Sequence, residues 1–132
     1  MPTREGLDFL IKGQLDQASH AFEQRDRIRR IRDELAAARD ELAQAKSRLF
    51  KATRDRDGAT NRLGTFVDSL PTDADGNLDL RRCTLQQRAE LAHLKQECEI
   101  FGLEHQQANL AHRQCDDRFI LARTAAHELP EN

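Results

Sequence analysis

Apolar residues recur along most of this chain at alternating steps of three and four. From Ile28 they fall at Ile31, Leu35, Ala38, Leu42, Ala45, Leu49, Ala52, Ala59, Leu63 and Phe66, with one polar fault at Arg56. A repeat of 3.5 makes a narrow helical seam that only a partner helix can bury. Alanine at every second seam position lets two helix axes approach closely. The pattern fails between Gly64 and Arg82. Pro71 lacks an amide hydrogen and disfavours a helical Leu70. Asp75-Gly76-Asn77 is turn chemistry, because Gly and Asn accept positive φ. With Phe66, Val67, Leu78 and Leu80 around it, this stretch reads as a connector with a short β-like tip. A second seam follows at Leu91, Leu94, Cys98, Phe101, His105, Ala108, His112, Cys115, Phe119, Ala122 and Ala126, before Pro130 ends it.

Two seamed helices joined by a turn predict an all-α fold, a long antiparallel helical hairpin in one domain over 1–132. The first helix is expected over 4–64, with a break near 23–28 left open. The connector is expected over 65–82 and the second helix over 83–128. In an antiparallel pair the numbers of facing residues sum to a constant. A sum of about 150 puts the pivot at Asp75, and about 143 puts it near Pro71; the first is preferred because it lies inside the turn.

Two apolar stripes do not fit the hairpin seam. Leu7, Leu10, Ile11, Leu15, Ala18 and Phe22 form a helical stripe of their own. A first helix of that extent, about 90 Å long, overhangs the second by roughly five turns. Residues 1–22 then either fold back as a third helical segment or pack on another chain in a helical bundle. On the second helix Ile100, Leu103, Leu110 and Leu121 lie opposite the seam, and a second stripe implies a second contact.

Composition narrows the class. The 132 residues are 33% charged and 5% aromatic, with no Trp or Tyr, so a thick core is not expected. The longest apolar runs are four residues, too short for a bilayer. Met1-Pro-Thr-Arg-Glu has no apolar stretch of a secretory signal, and Cys83, Cys98 and Cys115 are odd in number and widely spaced. Reduced thiols in the cytoplasm are therefore expected.

The net charge of −2 excludes a strongly basic protein. Its distribution is uneven: residues 25–56 carry an excess of Lys and Arg, whereas 68–79 carry Asp68, Asp73, Asp75 and Asp79 with no base. Arg25, Arg27, Arg29, Arg30 and Arg32 are the densest basic patch, and Arg25, Arg29, Arg30 and Arg32 are the weak candidates for nucleic acid. Interleaved aromatics for base stacking are missing. The acidic tip is a candidate surface for a basic partner. Aligned as a calcium loop on Gly76, it puts Pro71 and Arg82 where a side-chain oxygen and a bidentate Glu are required, so that reading fails. His105, His112 and Cys115 share a helix face and are weak metal candidates, but the seam opposite supplies no further ligand. No phosphate-binding glycine loop and no nucleophilic triad occur. Neither a cofactor nor a small-molecule substrate is expected.

In outline, with two long helices and a polar tip, the chain is similar to the stalk proteins of flagellar and type III export ATPases. It also resembles small phage-encoded interaction proteins. Architecture alone carries both resemblances, and they imply a non-enzymatic adaptor, assembly factor or inhibitor. The expected partner is a protein or a second copy of the chain, in a homo-oligomer, with no membrane. Leu7, Leu10, Ile11, Leu103 and Leu110 are the expected contact residues, together with Asp73, Asp75 and Asp79. A nucleic-acid-associated protein using 25–56, or a metal- or redox-gated bundle, is the alternative.

Overall fold

The computed structural model describes residues 3–130; Met1, Pro2, Glu131 and Asn132 lie outside the described residues. Two long helices pack against each other as an all-α hairpin, α1 over Arg4–Asp68 and α2 over Leu85–His127. No β-strand occurs among the described residues.

Local chemistry sets the ends. Thr3 caps α1, its Oγ1 accepting from the Gly6 amide at 3.1 Å. The helix then runs unbroken through 23–28, because Gly6, Gly13, Gly58 and Gly64 are isolated and no proline intervenes. A Gly inside a helix costs roughly 1 kcal/mol and does not stop it. Past Asp68 the Ser69 and Leu70 amides donate to Phe66 and Val67 carbonyls at 3.0 and 3.1 Å, tightening the last turn ahead of Pro71. Thr84 and Gln87 form a reciprocal capping box at the start of α2: the Gln87 amide donates to Thr84 Oγ1 at 3.1 Å, and the Thr84 amide to Gln87 Oε1 at 2.9 Å.

The seams lie where the spacing predicts. Every position from Ile28 to Phe66 in the three–four series, Arg56 included, is buried or half-buried, and so is every seam position from Leu91 to Ala126. The chain divides into two compact parts. In Leu42–Asp116 the core holds Leu42, Ala45, Ala52, Ala59, Leu91, Leu94, Ala108 and Cys115, with the connector cluster at one end. In the part made of residues up to Glu41 and from Asp117 onward, Ala38 is buried and Ile28, Ile31 and Leu35 are half-buried.

The register differs from both expected values. Within Leu42–Asp116, Arg56 meets His105 and Arg62 meets Glu97; within the other part, Glu41 meets Arg118. In each pair the residue numbers sum to about 160, rather than about 150 or 143. The cause is a lopsided connector. Thr72 and Leu78 form an isolated antiparallel bridge around Gly76, whose φ is 82°. A 3-10 turn over Leu80–Arg82 then uses more chain before α2 begins. Leu70, Cys83 and Leu91 are buried together, with Leu63, Phe66, Val67 and Leu78 against them. The connector's apolar residues thus join the last turns of α1, through Leu63, Phe66 and Val67, to Leu91 near the start of α2.

Over residues 3–22 the chain does not fold back as a third helical segment; Met1 and Pro2 lie outside the described residues. From Thr3 to Arg27 every residue except half-buried Gly6 is exposed, and from Arg4 onward the helix is continuous with the hairpin.

Candidate interaction site

The N-terminal arm of α1 carries a run of uncovered apolar side chains. Leu7, Leu10 and Ile11 are exposed, and so are Phe9, Leu15 and Phe22, the last at 73%. At 100° per residue Leu7, Ile11, Leu15, Ala18 and Phe22 share one line, while Phe9 points the opposite way. The hairpin seam, extended back from Ile28, would pass through Gln24, Ala21, Gln17 and Gln14 instead. The arm's stripe is therefore rotated away from the seam that α2 fills.

The second candidate surface is the outward face of α2. Ile100, Leu103, Leu110 and Leu121 are exposed, Leu103 at 59%. Phe50 on α1 and Leu85 on α2 are exposed as well. Sequence reasoning missed Phe9, Phe50 and Leu85; their off-seam positions were the available signal, since a large apolar residue beside rather than on a seam has no partner helix.

At the connector, two of the acidic residues serve the turn itself. Asp73 Oδ1 accepts from the Asp75 and Asn77 amides, both at 2.9 Å, and Asp79 Oδ1 accepts from the Arg81 amide at 3.1 Å. Asp68 and Asp75 face solvent. Bases stand among them in space: Arg88 donates to the Leu80 carbonyl at 2.6 Å and Arg82 to the Thr72 carbonyl at 3.5 Å. The tip is thus a braced turn of mixed charge, and the run of aspartates reads as more acidic along the chain than it is in three dimensions.

His105, His112 and Cys115 sit on the seam, the two imidazoles half-buried and the thiol buried. Arg56 Nη1 approaches both ring nitrogens of His105, at 3.2 and 3.3 Å. No group of three His, Cys, Asp or Glu among the described residues could hold a metal ion. The structure does not bring these candidates together as a ligand set; His105 instead answers the polar fault at Arg56.

Of the basic candidates, Arg30 pairs with Asp26 one turn away at 3.5 Å. Arg25, Arg29 and Arg32 line one shallow cleft with Ile28 and Asp33. Among the described residues these three form no ion pair. No described helix is long and apolar enough to cross a membrane. No protein-family model matches the sequence, and no curated protein or solved structure is significantly similar to it.

Proposed function

We propose that this chain is a non-enzymatic, cytoplasmic interaction protein: a helical hairpin that holds apolar helix faces ready for other helices, as an adaptor, assembly factor or small inhibitor does. The observation that carries this reading is the placement of the large apolar side chains. Leu7, Leu10, Ile11, Leu15 and Phe22 on one segment, and Ile100, Leu103 and Leu110 on another, stay in water while the seam is filled mainly by alanine and half-buried residues. Fully burying a Leu or Phe contributes about 1.5–3 kcal/mol, so two stripes left wet hold a substantial association energy in reserve. A core only two helices across also gives a reactant no enclosed chamber, which favours binding over catalysis.

For the α2 face the reading is self-association. Leu103→Asp is expected to turn an oligomer into a monomer in sedimentation velocity, with far-UV circular dichroism unchanged. A wild-type protein that sediments as a monomer at all concentrations would remove self-association through this face.

A further inference from the structure

The arm's apolar line does not stop at Phe22. The same three–four spacing continues through Arg25, Arg29 and Arg32, so eight positions from Leu7 to Arg32 share one helix face. The first five are apolar and the last three carry guanidinium groups. All eight are exposed, and the three arginines form no ion pair among the described residues. The face thus has two chemical halves, and an occupant must answer both.

A second copy of the same arm answers only one. In a parallel pair, Arg25, Arg29 and Arg32 meet their own counterparts. In the antiparallel register that matches the apolar positions, Leu7 meets Phe22 and Ile11 meets Ala18, and Arg25 then falls on Arg4. Like charges facing across a helix pair are destabilising. An anionic membrane answers the arginines but not the rest of the arm. Between residues 4 and 23 the polar side carries Glu5, Asp8, Asp16 and Glu23 against Lys12, a balance that repels anionic lipid. For nucleic acid the apolar half is idle.

From this charge pattern we infer that the arm docks a foreign amphipathic helix whose apolar stripe ends in acidic residues at three–four spacing. The partner's apolar positions pack on Leu7 to Phe22, and its carboxylates pair with Arg25, Arg29 and Arg32. Guanidinium suits this task because it presents a fixed fork of donors to carboxylate oxygens. The inference rests on the interaction reading above and assigns one surface its partner chemistry.

The test uses the full chain and synthetic four-heptad helices bearing a leucine stripe with three glutamates at one end or the other, matching parallel or antiparallel docking. Twins replace the glutamates by lysine. Fluorescence anisotropy is expected to show a glutamate helix binding and its lysine twin failing. Arg29→Glu with Arg32→Glu should weaken the glutamate helix at least tenfold and restore the lysine twin; both positions are exposed, and circular dichroism checks that the fold survives. Glutamate and lysine helices binding alike, or neither binding, would overturn the inference. So would a wild-type dimer that Ile11→Asp dissociates, or binding to phosphatidylserine vesicles or duplex DNA without binding to either glutamate helix. Leu103→Asp is expected to leave the peptide affinities unchanged, so failure of α2 self-association and failure of this inference give different results.

Discussion

Ala59 and Ala108 are the most deeply buried side chains of the hairpin, 1% and 0% exposed. The register sets Ala52 level with Ala108, and both are buried. Overpacking a filled core typically costs about 1–3 kcal/mol. Ala108→Leu is therefore expected to lower the thermal midpoint by several degrees, whereas Ala43→Leu, on the exposed side of α1, should shift stability by less than about 0.5 kcal/mol. Equal shifts in calorimetry would show that the seam is looser than its burial implies. Arg56 was legible in the sequence as a fault. Its companion was not, because only the true register brings His105 to it.

At the scale of elements, the connector decides the register. A seam of period 3.5 mates equally well after a slide of half a heptad, so the spacing that located both helices could not say how they slide. The slide is chosen where Leu91, the first seam residue of α2, is buried with Leu70, Leu78 and Cys83, connector residues whose periodicity is broken by Pro71 and Gly76 and which form no stripe in the sequence. Leu91→Ala should cost about 2–5 kcal/mol, since it empties the centre of that cluster. Gly76→Ala places a side chain at φ 82° and should cost about 1 kcal/mol. Chemical denaturation of both variants checks the order: a larger loss at Gly76 than at Leu91 would contradict it.

At the scale of the whole molecule, stability is unevenly distributed. From its Thr3 cap to Arg27, α1 has cap and backbone bonds, and every residue but half-buried Gly6 is exposed. Helix without tertiary packing is marginal in water. Amide hydrogen exchange is expected to be at least about a hundredfold faster over 7–25 than over 42–63, with both segments helical by chemical shift. Comparable protection would mean that something covers the arm in solution. The arm's stripe was visible in the sequence as a run out of step with the seam. Its continuation into Arg25, Arg29 and Arg32 was hidden, because counting charge by segment mixes those three with Arg27 and Arg30, which lie on other faces.

Gly13 stands in the middle of the arm, and a methyl group there would meet nothing within 4 Å. It lowers helicity where no contact compensates, so whatever grips the arm must first stiffen it. Gly13→Ala removes roughly 1 kcal/mol of that ordering cost. By preorganisation alone it should tighten capture up to about fivefold without altering a single atom of the docking line. The strength of the grip is then tuned in the backbone, out of a partner's sight, as a spring is tuned by its temper and not by its hook.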